Sequence, residues 1–123
     1  MPRPRTTAPD PRSFLPLTPL ALHVLLALAG DALHGYGIIR EVATRTDGLI
    51  TLRSGTLYTL LQRLQSEALI VECDSRPDPE QDDERRRYYD LTALGRAVLE
   101  ADLRRLQAVV GEARRKRVLP TRA

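Results

Sequence analysis

Between Ser54 and Ser66 the chain reads SGTLYTLLQRLQS, and its polar side chains are of one chemical kind. Thr56, Thr59 and Gln62 carry hydroxyl and amide groups that donate and accept hydrogen bonds at neutral pH without titrating. Tyr58 adds a phenol and Arg63 a permanent positive charge suited to phosphate. Such groups select a partner by matching donors to acceptors and do not make or break its bonds. A second basic group, Arg85, Arg86 and Arg87, lies further along with Arg76 upstream of it, and the residues between include Asp78, Glu80, Asp82, Asp83 and Glu84. Guanidiniums at the base of that segment can address phosphate, whereas its acidic tip is repelled by a polyanion and is expected to stay in solvent. Residues for catalysis are sparse. His23 and His34 are the only histidines, and no Ser/His/Asp set, Cys/His metal spacing or glycine-bearing calcium loop is present. His34, just before Gly35, is expected to orient a turn, and Cys73 to act as a small buried hydrophobe. Neither an enzyme nor a bound cofactor or metal is expected.

The elements that position these residues follow from periodicity. Leu57, Leu60, Leu61 and Leu64 recur at helical spacing and leave Thr59, Gln62 and Arg63 on the opposite side, with Ser54 as the expected N-cap. Upstream, Thr18 before Pro19 marks a helix start, and Leu20, Ala21, Val24, Leu25 and Leu28 continue it until Gly30. After the turn GDALHG, residues Tyr36, Ile39, Val42 and Ala43 give a second helix ending near Gly48. Downstream, LIVEC from Leu69 to Cys73 and RYYDL from Arg87 to Leu91 read as two short strands joined by the charged loop. Thr92 then caps a last helix in which Leu99, Leu103, Leu106, Val110 and Ala113 form a seam of alternating four- and three-residue steps.

Three helices, a β-hairpin and a longer helix make a mainly α chain with a small hairpin, the order of a winged helix-turn-helix. In that arrangement the second helix of the pair enters the major groove, where each base pair shows a different donor and acceptor pattern. The face from Ser54 to Ser66 then becomes a candidate base-reading surface, with Gly55 letting the backbone approach the duplex. A polar outer face is also what any solvated amphipathic helix carries.

The chain has 123 residues, 42% of them hydrophobic, which suits one domain with one core. Its net charge of +3 and pI near 9.5 permit nucleic-acid binding without requiring it. One cysteine excludes an intrachain disulfide, and no stretch is apolar and long enough to span a bilayer. Pro16, Pro19 and His23 interrupt the leucine-rich start, and no small-residue cleavage site follows, so a cytoplasmic location is expected. Residues 1–15, rich in proline and arginine, read as a disordered basic arm, residues 16–92 as the winged helix-turn-helix, 93–117 as the last helix and 118–123 as a tail.

HGYGI (His34 to Ile38), SGTLYTLLQRL (Ser54 to Leu64), LI (Leu69 and Ile70) and RRYYDLTALGR (Arg86 to Arg96) stand in the order and spacing of the PadR family of bacterial transcriptional regulators, which the chain resembles from about Leu17 to Arg117. The resemblance implies a winged-helix DNA-binding domain, a C-terminal helix that dimerises, and repression relieved by a small-molecule effector. It makes the SGTLY helix the recognition helix, with Ser54, Gly55, Thr56 and Tyr58 as contacts to double-stranded DNA, joined by Thr59 and Arg63. With Gln62 and the wing-base residues Arg86 and Arg87, these are the candidate DNA-binding residues. The seam Leu99, Leu103, Leu106, Val110 and Ala113 is the candidate homodimer interface.

Two positions depart from the family pattern: Ala68 stands where glycine is usual before LI, and Thr59 replaces a frequent proline. The single helix after Arg96 resembles the short-tailed branch, and without tryptophan no effector can stack between paired indoles. A different class of function, a winged helix that binds a partner protein through the last helix and acidic loop, fits the same sequence.

Overall fold

The computed structural model describes residues 9–73 and 87–121. Its helices are α1 (Pro19–Leu28), α2 (Gly35–Arg45), α3 (Ser54–Ser66) and α4 (Ala93–Arg115), and its strands β1 (Leu33–His34), β2 (Ile70–Cys73) and β3 (Tyr88–Leu91). The strands form an antiparallel sheet in the order β1-β3-β2, with Leu33 opposite Tyr89 and Ile70 opposite Leu91. As the central strand, β3 is covered on both faces at its start, and Tyr88 and Tyr89 are both buried. The fold is the expected winged helix-turn-helix with a long last helix. The expected strands each lose their first residue, since Leu69 and Arg87 lie outside the ladder. Within the expected turn GDALHG, Leu33 and His34 pair with β3 as an additional strand.

Helix starts follow local capping chemistry. The Thr18 hydroxyl accepts from the Ala21 amide at 3.2 Å, and the Thr92 hydroxyl from the Gly95 amide at 2.9 Å. His34 caps α2, its Nδ1 accepting from the Gly37 amide at 3.0 Å. Helix α3 differs from expectation: Arg53 occupies the N-cap position without a side-chain bond, and Ser54 is the first helical residue. The basic arm also differs. Pro11–Phe14 forms a 3-10 turn capped by Asp10, whose carboxylate accepts from the Arg12 amide at 2.9 Å, and Phe14 and Leu15 pack against the core. Residues 1–8 of the expected arm, the loop 74–86 and residues 122–123 lie outside the described residues.

Val24, Leu25 and Leu28 of α1, Ile38 and Val42 of α2, Leu57, Leu61 and Leu64 of α3 and Val98 of α4 make one continuous core. Two close approaches fix how its helices meet. A Cβ on Gly35 would collide with the Tyr58 hydroxyl, so the start of α2 lies against the ring projecting from α3. A Cβ on Gly95 would collide with the Leu69 carbonyl, so the first turn of α4 rests on the backbone just before β2.

Candidate nucleic-acid interface

Helix α3 ends in a Schellman motif, with the Leu69 amide donating to the Leu64 carbonyl at 3.0 Å and the Ala68 amide to the Gln65 carbonyl at 2.9 Å. Ala68 takes the left-handed conformation this requires, at φ 63°. The same two residues are clamped again from the start of α4, as the Thr92 hydroxyl donates to the Ala68 carbonyl at 2.6 Å and the Thr92 amide to the Leu69 carbonyl at 3.1 Å. The C-terminus of α3 is thereby joined through backbone groups to the N-terminus of α4.

Held in this way, α3 buries Leu57, Leu60, Leu61 and Leu64 and exposes Ser54, Gly55, Thr56, Tyr58, Thr59, Gln62 and Arg63. At about 100° per residue, Gly55, Thr59 and Gln62 lie along the middle of the exposed face, with Tyr58 on one flank and Thr56 and Arg63 on the other. The seven candidates of the helix thus share one surface. Thr56, Thr59 and Arg63 also line an open groove of about 840 Å³ against Thr18, Pro19 and Leu20 of α1. Tyr58 is half exposed, yet its hydroxyl end lies over Gly35, so it serves packing and surface together.

The base of the wing is tied to this helix by one carboxylate. Glu72 on β2 accepts from Gln65 Nε2 at 3.5 Å and pairs with Arg87 Nη1 at 3.6 Å. Arg63 has a carboxylate neighbour too, Glu67 at 3.9 Å. Both phosphate candidates are therefore partly compensated in the free chain. Arg86 and the acidic loop lie outside the described residues. Behind the surface, burial first, then Glu72 and Tyr58, push the Tyr89 phenol above its ordinary 10.0, with Arg87 acting against them.

The last-helix seam divides. Leu99 is buried in its own core at 4% exposure, whereas Leu103 reaches solvent and Leu106, Val110 and Ala113 are half covered. Leu26 of α1 and its C-cap residue Ala29 join Leu103, Leu106 and Val110 around an open groove of about 1140 Å³. Those two residues were not among the sequence candidates, because α1 is apolar on nearly every side and its periodicity does not mark an outer face. Among the described residues no group of three His, Cys, Asp or Glu side chains could hold a metal ion, and no helix is long and apolar enough to cross a membrane.

A small three-stranded sheet beside a helix pair whose second member presents a polar face defines a winged-helix protein. Residues 24–101 match the model of the transcriptional regulator PadR-like family, and the chain belongs to that family. Family membership makes it a DNA-binding transcriptional regulator at that level of description. The structure is similar to that of a PadR family transcription regulator from Clostridium difficile, 27% identical with a TM-score of 0.63, over 78% of this chain and 95% of that one. It is also similar to RosR of H. salinarum, 28% identical with a TM-score of 0.67, over 89% of this chain and 90% of that one. Bacillus subtilis PadR in complex with operator DNA shares the fold, with a TM-score of 0.57 and 21% identity over 68% of this chain and 46% of that one. An uncharacterised protein from Lysinibacillus sphaericus is 33% identical over 66 residues, which are 54% of this chain and 58% of that relative's length.

Proposed function

We propose that the protein is a cytoplasmic homodimeric repressor that reads an inverted-repeat operator with α3 and is released by a small-molecule effector. The observation that carries this reading is the exposed face of α3, where Gly55, Thr59 and Gln62 form an uncharged hydrogen-bonding strip flanked by Tyr58 and Arg63. A solvated helix has no need to place its charge at the flank and its amides and hydroxyls along the centre. A base-reading helix does, since phosphates border the groove and base edges line its floor. The operator complex of Bacillus subtilis PadR lends support by analogy of fold.

In this reading Thr59 and Gln62 select sequence, Ser54, Gly55, Thr56 and Tyr58 set the approach of the helix, and Arg63, Arg86 and Arg87 engage phosphate. A second copy covers the groove between α1 and α4 with Leu103, Leu106, Val110 and Ala113, and two-fold symmetry sets half-site centres about one helical turn, or a multiple of it, apart. The test begins with genomic fragments retained by the purified protein, followed by footprinting. Two protected half-sites are expected, and a single asymmetric site shorter than one turn refutes the symmetric reading. Gln62→Ala is then titrated on that operator and on a scrambled duplex. A loss of about 1–3 kcal/mol on the operator alone is expected, and equal loss on both removes Gln62 from base reading.

A further inference from the structure

Helix α2 carries a basic residue outside the candidate set whose setting differs from that of Arg63 and Arg87. The Arg40 guanidinium carbon lies 5.6 Å from the centre of the Tyr36 ring. Tyr36 in turn stacks on His34, with ring centres 6.3 Å apart and planes 10° from parallel, and His34 meets Tyr88 edge to face at 5.2 Å. Tyr88 is buried in the central strand and His34 caps α2, so the row runs from the core to the surface and ends in a cation. Arg40 forms no ion pair with a carboxylate among the described residues, and it is exposed.

The row also faces a definite side. Arg45 anchors α2 to α1, donating to His23 Nδ1 at 2.8 Å. Tyr36 lies nine positions before Arg45, which at about 100° per residue is half a turn around the helix. Tyr36 therefore occupies the side of α2 turned away from the α1 anchor, and Arg40, about 40° from Tyr36, faces solvent between the two at the rim of a groove it shares with Arg45. Next to Tyr36 in the chain, Gly35 carries the Tyr58 hydroxyl of α3, so the outer edge of α2 continues the flank of the recognition helix. Tyr36 is 57% exposed and Tyr58 49%, which leaves both rings open on that edge.

We infer that Arg40, held over Tyr36, binds a backbone phosphate bordering the half-site that α3 reads. This rests on the proposed DNA-binding reading and adds a contact made by the first helix of the pair. Arg63 and Arg87 must loosen their hold on Glu67 and Glu72 to meet a phosphate, whereas Arg40 has no carboxylate to leave among the described residues. An aromatic platform that limits the guanidinium to few positions also reduces the conformational freedom lost on binding.

The test is a fluorescence-anisotropy titration of the retained operator duplex and of a scrambled duplex at several salt concentrations, with circular dichroism to establish that each variant is folded. Arg40→Ala is expected to weaken both duplexes by a similar factor, about five- to tenfold near 0.1 M salt, and to reduce the salt slope by about one. Its loss should exceed that of Arg87→Ala. Tyr36→Ala is expected to give a smaller loss, most of which Tyr36→Phe recovers because the ring remains. If the unmodified protein binds and Arg40→Ala matches it within twofold with the same slope, the assignment fails while the DNA-binding reading stands. A loss confined to the operator overturns the phosphate assignment in favour of a base contact. If the unmodified protein retains no DNA, the underlying reading fails, and this inference with it.

Discussion

Replacing Gly55 with alanine should move stability and DNA affinity in opposite directions. Gly55 is the second residue of α3 and is exposed, and a Cβ built there meets nothing within 4 Å. Nothing in the described fold therefore calls for glycine at this position. Alanine is favoured over glycine by about 1 kcal/mol in a helix interior, and roughly half of that applies in the first turn. A gain of about 0.5 kcal/mol raises Tm by about 2 °C for a domain of this size. The same methyl group projects from the middle of the face assigned to the major groove, where glycine allows close approach of the backbone. An affinity loss of at least about tenfold, or 1.4 kcal/mol, is expected once the helix must withdraw to accommodate it. Thermal melts followed by circular dichroism give the first quantity and anisotropy titration on the operator the second. A variant that simply misfolds lowers both, so the opposed signs are diagnostic. A more stable variant that binds as tightly as the parent would show that the start of α3 does not approach the duplex, and would remove Gly55 from the DNA contacts.

Ala68→Gly should stabilise the chain by about 0.5–1 kcal/mol, because removing Cβ from a residue at φ 63° relieves about 1–2 kcal/mol of left-handed strain and the freer unfolded chain returns part of it; an unchanged denaturation midpoint counts against this. Arg105→Ala should destabilise by about 2 kcal/mol in urea, since Asp102 is fully buried with one oxygen bonded to Arg105 Nε at 2.7 Å and the other without a partner among the described residues. A cost below about 0.5 kcal/mol means that the carboxylate finds another partner. Burial first, then the Arg45 guanidinium, hold His23 below its ordinary 6.5 in the folded chain, so the unfolded chain takes up the proton first on acidification. Its contribution to stability should be full above about pH 6.5 and decline as pH falls through 6.5 toward the folded value, and His23→Gln should flatten that part of the stability profile.

The sequence made the helix starts at Thr18 and Thr92 legible because capping is local: a hydroxyl, a helix-compatible next residue and an apolar period all lie within a few positions. The polar face of α3 was legible for the same reason, since burial of Leu57, Leu60, Leu61 and Leu64 follows from spacing alone. Strand β1 was not, because two residues carry no period and Leu33 and His34 become a strand only when β3 pairs with them. The contact of Tyr58 with Gly35 was hidden likewise, as it joins two motifs far apart in the chain. The seam of α4 shows a further limit. Heptad spacing identifies a stripe, but whether α1 or another molecule covers Leu99 depends on a helix crossing that spacing does not encode. At the N-terminus, proline and charge obscured a 3-10 turn whose stability comes from the Asp10 cap and from Phe14 and Leu15 reaching the core.

The departure at Ala68 acquires its meaning from position. Ala68, Leu69, Thr92 and Gly95 form a joint in which the end of α3 and the start of α4 touch through carbonyls, an amide and one hydroxyl. Side-chain packing between helices can slide by a rotamer change, but a backbone hydrogen bond at 3.1 Å closed by a glycine contact leaves little room to slide. In the proposed dimer the distance between two recognition helices is therefore set by how two α4 helices meet and is carried to α3 through this joint. If the proposed effector acts at the α1–α4 groove, it would change half-site spacing without touching DNA, provided the joint transmits the movement as a unit. A strained residue at its centre works against that unity by lowering the cost of local opening, and glycine at position 68 would restore it. The stability gained by Ala68→Gly and the sharpness of the proposed effector response would thus depend on the same few atoms.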